Sequence, residues 1–388
     1  MKKIIVIILI LNAVLYAKPT MSQKNYDLLM SAEKLIELDE VKKAKEILNK
    51  LVLSKNDYAK SYAYQYLANL SLQTADYNKT KTYYETIIKL AALDENNIDR
   101  IKFSLSKIYL SLEEYDKCII LSKELLNNKN DLTLDLYESL IYAYYYKKEF
   151  KKSIVYSKKY NALSKEKKEN IYQMLYSSHI ELKKYAQAIT TLNTMVKKWT
   201  QKQNYWLQLI SLYQETKQYK KALATIELSY KEKILDPKKN TQFYVNLLLQ
   251  NDLFQKGSLA IEQGINKGYI KKDARSFELL ISAYLSAKEV DKAIKKLSTS
   301  KFAKTNKYKK ILANLHYNNH HYKSTIKVLK SIAQKTKKEF DADVHILFAL
   351  CYFELEDIKN TTLHLKKVYH SKKKKRAVEI AKVLQIKL

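Results

Sequence analysis

The sequence predicts an all-α chain of stacked helical hairpins, and three observations carry that reading. Apolar residues recur at helical spacing in paired runs. A set of large and small side chains repeats along most of the 388 residues. Three Gly and two Pro are too few for a chain with many β-turns, so helices joined by short polar turns are expected. The clearest unit is 204–230. There Trp206, Leu209, Ile210 and Tyr213 share one helical face, and Tyr219, Ala222, Leu223 and Ile226 share another, with a break near Thr216–Gln218. One hairpin cannot bury both faces and needs similar neighbours.

With Tyr219 as the marker that opens the second helix, equivalent positions are Val41, Tyr77, Tyr115, Phe150, Tyr185, Phe254, Val290, Tyr322 and Ile358. Their spacing runs from 32 to 38 residues. Three residues after each marker stands a small side chain: Ala44, Thr80, Cys118, Ser153, Ala188, Ala222, Gly257, Ala293, Thr325 and Thr361. Close helix approach requires this, because a larger residue would hold the backbones apart. Ten before the markers the residue is mostly Leu; six before, it is mostly Tyr, with His179 and His316 as variants. Carried best by Trp206, Leu209, Tyr213, Tyr219 and Ala222, this pattern resembles the tetratricopeptide repeat (TPR). The resemblance implies a right-handed TPR α-solenoid of about ten helix-hairpin repeats with a C-terminal capping helix. The chain departs from that family by lacking its terminal Pro almost throughout and its Gly on the first helix, where Ala68, Ala313 and Ala349 or larger residues stand.

Taken in order, Lys2 and Lys3 precede the apolar run Ile4–Tyr16, and Ala17 then offers a small residue for cleavage. This is the layout of a secretory signal peptide over 1–17. The run is short for a membrane span, which needs about 20 residues; an uncleaved anchor in the inner membrane is the alternative. Residues 22–53 read as a weak N-terminal capping repeat, since terminal repeats are often atypical. Residues 54–370 hold the regular repeats. Residues 371–388 read as a closing helix with an apolar stripe of Ala377, Ile380, Val383 and Leu384, starting in the basic run Lys372–Arg376. No Pro/Gly/Ser-rich linker divides 18–388, so a single solenoid is expected. All three Gly fall at 257, 264 and 268. Gly268 is expected to end a helix in the left-handed conformation, and the block is not a phosphate loop, since no strand precedes it.

The formal charge of +31 rests on Lys, with Arg only at 100, 275 and 376. Specific phosphate recognition favours the Arg fork, and export argues against nucleic acid as a partner. Cys118 and Cys351 stand in distant repeats, beyond the ~7 Å that a disulfide spans. They read as small buried hydrophobes. His316 and His320 lie one helical turn apart with His321 beside them, but no carboxylate or Cys joins them nearby. No metal or other cofactor is expected, and no catalytic constellation stands out, so the chain reads as a non-enzyme.

By the repeat's register, Tyr62, Tyr142, Tyr145 and Tyr146 point to the concave surface, together with Asn69, Asn246, Asn314, Lys310 and Tyr317. Asn offers donors and acceptors suited to an extended peptide backbone. Lys310 and Asn314 match two positions of the TPR carboxylate clamp, but Leu347 and Asp343 stand where the next repeat needs Asn and Lys. The segment 205–294, with Tyr-Trp-Leu-Gln-Leu, Tyr-Lys-Lys-Ala-Leu-Ala, Ala-Ile-Glu-Gln-Gly-Ile-Asn-Lys-Gly-Tyr-Ile and Phe-Glu-Leu-Leu-Ile-Ser-Ala-Tyr in that order, resembles the periplasmic TPR proteins of TonB-type energy transduction. That resemblance implies a non-catalytic periplasmic protein-binding scaffold whose partners are TonB- or ExbD-like periplasmic segments, peripheral to the membrane at most. A scaffold of another envelope machine (pilus, flagellar motor or outer-membrane assembly) and a cell-wall binding module are the competing readings.

Overall fold

A computed structural model describes residues 21–127, 132–333 and 341–388; the expected signal peptide lies outside them. The described residues form 21 α-helices and one short 3₁₀ turn, with no strand among them. None of these helices is long and apolar enough to cross a membrane. The helices pair in sequence: α1 (Gln23–Glu37) with α2 (Val41–Leu51), α3 (Asp57–Gln73) with α4 (Tyr77–Leu90), and α5 (Glu95–Ser111) with α6 (Tyr115–Asn127). They continue with α7 (Thr133–Tyr146) and α8 (Phe150–Leu163), then α9 (Glu169–Glu181) and α10 (Tyr185–Lys198). These five hairpins belong to one compact unit, Met1–Trp199. The second unit, Thr200–Leu388, holds α11 (Gln203–Glu215) with α12 (Tyr219–Lys231), and α13 (Pro237–Gln250) with α14 (Phe254–Asn266). It continues with α15 (Ala274–Ser286) and α16 (Val290–Thr299), α17 (Asn306–Asn318) and α18 (Tyr322–Ala333), and α19 (Ala342–Glu354) and α20 (Ile358–Tyr369), before α21 (Lys374–Val383) closes the chain.

All ten markers are the first residues of second helices, so the period read from the sequence is the period of the hairpins. The small residue three positions later is buried in every repeat. Where it is Ser or Thr it can also reach across: Ser153 donates to the Ile141 carbonyl at 3.0 Å and Thr325 to that of Ala313 at 3.4 Å. Gly257 shows how tight the approach is, since a Cβ there would lie 2.7 Å from Leu249 Cδ2.

The turns inside the hairpins are uniform in a way that composition hides. Two residues before each marker the backbone is left-handed, and no Gly stands there: Asp39, Ala75, Glu113, Lys148, Lys183, Lys217, Asp252, Lys288, His320 and Glu356 have φ between 54° and 61°. Each turn is closed by the same two backbone bonds. In the starting hairpin, Gln218 N donates to Tyr213 O at 2.7 Å and Lys217 N to Gln214 O at 2.9 Å. Such paired bonds satisfy carbonyls that a helix end otherwise leaves open. Between hairpins, Gly268 takes φ +73° just after α14, as its position suggested.

First helices begin at side-chain caps where the sequence offers them. Ser22, Asn56, Asp94, Asp236, Asp273 and Asp341 each accept from a backbone N–H of the first turn, and Pro237 starts α13. The residue just before five of the markers is acidic and pairs with the Lys three residues on, as Glu114 does with Lys117 at 2.6 Å. Glu114 is also reached from the preceding hairpin by Lys81 at 2.6 Å, and Glu289 likewise by Ser258 at 2.8 Å. These two ammonium groups hold the Glu114 carboxyl below its ordinary range.

One repeat departs from the pattern, and one expectation needs correction. In the first repeat Ser31, ten before its marker, is exposed where most later repeats bury a large apolar side chain, while Ala32, nine before it, is buried as that position mostly is. In α21, Val383 is 80% exposed and Ala381 is buried beside Ala377, so the apolar stripe turns one step further round the helix. Cys118 and Cys351 are free and buried, with burial pushing their thiols up to about 11 and about 12.

Candidate functional site

On the first helix of each hairpin, packing uses almost every position in the second half. The residues ten, nine, seven and six before the marker are mostly buried. The residue eight before it is never buried: Glu33, Asn69, Lys107, Tyr142, Ser177, Ser211, Asn246, Ser282, Asn314 and Leu350 all reach the surface. Helical geometry accounts for this, since that position lies on the side opposite the second helix. Within each unit successive hairpins repeat the arrangement, so these side chains make one open row per unit.

In the first unit the row is richest at α7 and α9. Asn170 Nδ2 donates to the Tyr142 hydroxyl at 2.7 Å and to Glu138 Oε1 at 2.9 Å. Lys168 reaches Glu138 Oε2 at 2.8 Å, and that hydrogen bond raises the Lys168 ammonium to about 12. Burial raises the Tyr142 phenol, against the Asn170 hydrogen bond, so it stays protonated and able to donate. Tyr142 stacks with Tyr146 at 6.5 Å, and Tyr146 stacks with Tyr115 at 5.7 Å. Tyr146 is half exposed. Tyr145 packs edge-on against both Tyr146 and Phe150, so much of its ring supports its own hairpin. Tyr62 sits half-buried against Tyr58, their ring centres 5.0 Å and their hydroxyls 3.2 Å apart. Asn69 is half-buried with no side-chain hydrogen bond among the described residues.

In the second unit Asn246 is exposed and accepts from Gln242 at 3.2 Å. Asn314 is exposed and donates to the Lys310 carbonyl at 2.9 Å. The Lys310 ammonium is ion-paired with Asp341, which caps the next first helix. Burial works against charge on Asp341, but Lys310 and the Val344 N–H outweigh it and hold the carboxyl low. Asp343, at the clamp's second cationic position, pairs with Lys373 at 2.6 Å and Arg376 at 3.1 Å. Tyr317 is half-buried, its ring 5.7 Å from that of Tyr322. Four candidates thus stand in each unit.

Pairing between consecutive first helices is the feature that sequence reading missed. Lys168–Glu138, Asn170–Glu138, Lys307–Glu278 and Lys310–Asp341 all join the start of one first helix to the middle of the preceding one. The signal was available as opposite charges at fixed register offsets about 30 residues apart.

Five of the seven histidines fall into two groups. His316 and His321 have ring centres 5.9 Å apart, while His320 Nδ1 meets the Tyr322 hydroxyl at 2.8 Å. No group of three metal-ligating side chains occurs among the described residues. The second group is new: His345 and His364 bring their Nδ1 atoms to 2.8 Å, with Phe348 stacked on His364 at 4.5 Å.

Ten hairpins at this period, with a small residue at every close approach and one open position per first helix, define a tetratricopeptide-type helical-repeat array. No family model matches the chain, and no curated protein matches it. Solved structures similar to it include a tetratricopeptide repeat protein from Parabacteroides merdae, 12% identical, covering 74% of this chain and 98% of that one with a TM-score of 0.34. Another is the C-terminal part of a TPR repeat-containing protein from Cytophaga hutchinsonii, 13% identical, covering 71% of this chain and 98% of that one, with a TM-score of 0.35. A third is YrrB, described as a TPR protein with an unusual peptide-binding site, 11% identical, covering 50% of this chain and 97% of that one, with a TM-score of 0.34.

Proposed function

We propose that this protein is a non-catalytic scaffold that holds a protein partner along the open row of its first helices. The observation that carries the reading is the position eight before each marker, which stays out of the core in all ten repeats. Its residues are mainly Asn, Ser, Lys and Tyr, which offer hydrogen bonds to a peptide backbone without demanding one sequence. Tyr62, Asn69, Tyr142 and Tyr145 form the first-unit contact set; Asn246, Lys310, Asn314 and Tyr317 form the second. The Lys310–Asp341 pair leaves Lys310 a weak carboxylate receptor, so a full carboxylate clamp is not the mode of binding. The partner is a periplasmic segment of a TonB-type energy-transduction system, the protein reaching that compartment through its N-terminal apolar segment; this finer assignment is supported by the likeness of 205–294 alone.

A photo-crosslinking residue placed at Tyr142 or Asn246 in living cells tests both levels. Adducts with a discrete protein, absent when the probe replaces the outward-facing Ile120, are the expected result. No adduct at either position removes the scaffold reading. Adducts with proteins unrelated to TonB or ExbD, with TonB-dependent uptake unchanged on deletion, remove only the finer assignment.

A further inference from the structure

The positive charge is unevenly distributed. Residues 200–388 carry 38 Lys and Arg against 17 Asp and Glu, whereas residues 1–199 carry 33 against 23. Part of that excess lies in the final helices, where residues 358–388 carry ten Lys and Arg against one acid, the exposed Glu379. On α20 the exposed side carries Lys359, Leu363, Lys366 and Lys367. On α21 it carries Lys374, Lys375, Val378 and Lys382. Asp343 engages Lys373 and Arg376, and Lys374 lies over the Tyr369 ring at 4.4 Å. Lys359, Lys366, Lys367, Lys372, Lys375 and Lys382 form no ion pair among the described residues. Apolar side chains stand exposed among these cations: Leu363 at 48%, Val378 at 45% and Val383 at 80%.

We propose that this C-terminal cap docks on the surface of an anionic lipid bilayer. Charge alone would admit any polyanion, and two features select the bilayer. First, the free cations are all Lys, the single Arg here being held by Asp343. Lysine is a hydrated point charge suited to a diffuse layer of headgroups, and it lacks the fork that reads a fixed phosphate or carboxylate. Second, Leu363, Val378 and Val383 would gain nothing against a nucleic-acid backbone, but can sink to the boundary between headgroups and acyl chains. A cluster of several Lys beside such residues is the pattern of anionic-lipid attraction. The surface lies on one second helix, α20, and on the cap, and its argument does not rest on the scaffold reading.

Vesicle co-sedimentation tests this with protein beginning at Lys18, which holds every described helix and leaves out the apolar run Ile4–Tyr16. Binding is expected to vesicles of mixed phosphatidylcholine and phosphatidylglycerol, and not to phosphatidylcholine alone, with release as salt rises. The variant Lys366→Gln, Lys372→Gln, Lys375→Gln, Lys382→Gln should weaken binding by on the order of several hundred-fold, at about one kcal/mol per Lys. The variant Val378→Ser, Val383→Ser should weaken vesicle binding several-fold and leave binding to duplex DNA unchanged. Circular dichroism of both variants establishes that the fold persists. Equal binding to neutral vesicles, a quadruple variant that is folded yet unimpaired, or a preference for DNA over anionic vesicles would each overturn the proposal.

Discussion

The hairpin turns offer the sharpest test of how this chain is held together. At Lys183, Lys217 and Lys288 an exposed L-residue sits in the left-handed region, with φ of 54°, 57° and 60°. That conformation brings Cβ close to the following carbonyl and costs an L-residue about 1–2 kcal/mol. Glycine would relieve the clash, but it loses more freedom on folding, which returns about 0.4–1 kcal/mol. The difference leaves each Lys→Gly change stabilising by about 0.5–1 kcal/mol. Because the two paired backbone bonds of each turn need no side chain, Gly can make them equally well. The three sites stand in separate hairpins, so their effects should add to about 2 kcal/mol. The matched control is Lys→Ala at the same sites, which removes the charge and keeps the Cβ. Urea unfolding followed by circular dichroism should show the Gly triple variant melting at higher urea than the Ala one. Equal or lower stability of the Gly variant would show that the turns are not strained in this way.

The remaining predictions concern the core and the last hairpin. Gly264→Ala places a Cβ within 3.0 Å of both Ile270 and Thr241 and should cost about 1–3 kcal/mol, whereas Gly257→Ala meets only the flexible end of Leu249 first and should be close to neutral, because Ala gains about 1 kcal/mol of helix propensity; thermal melts distinguish the two. Ala222→Leu, at a fully buried close approach, should destabilise the second unit by about 1–3 kcal/mol, measured as a lower urea midpoint. Burial, with His345 and Lys367 adding to it, pushes His364 down to about 4. A native pKa below the unfolded value of about 6.5 means that the stabilisation is present above pH 6.5 and is lost as pH falls from there through 4. Loss on the order of 2 kcal/mol over that window is expected, and His364→Phe should abolish it while keeping the stack on Phe348. An unchanged pH profile in that variant would remove His364 as the cause.

The architecture was legible because close packing leaves a mark in every repeat. Only a small residue fits three positions after the marker, so Ala44, Cys118, Ser153 and Gly257 betray the hairpins despite their different chemistry. The open row was legible for the converse reason, since Asn246 and Asn314 escape the apolar pattern around them. The turn geometry was hidden, because it is set by backbone bonds that Lys, Asp, Glu, Ala and His all allow. Contacts between repeats left a fainter mark, some of them only as opposite charges about 30 residues apart. Lys310 meets Asp341 across 31 residues, and His345 meets His364 between positions that carry no repeated residue type. Val383 was misplaced because the short α21 leaves its exposed and buried sides poorly separated by spacing alone.

Within each unit, helices pack chiefly against those next to them in sequence and against the corresponding helix of the adjoining hairpin. This has a mechanical consequence. A chain pulled from its ends should yield hairpin by hairpin from an end of the unit, since breaking one interface leaves the others intact. Each hairpin of about 35 residues would release roughly 110 Å of extended chain. The Lys81–Glu114 and Ser258–Glu289 stitches lie across two such interfaces, so each would resist the pull only at its own joint.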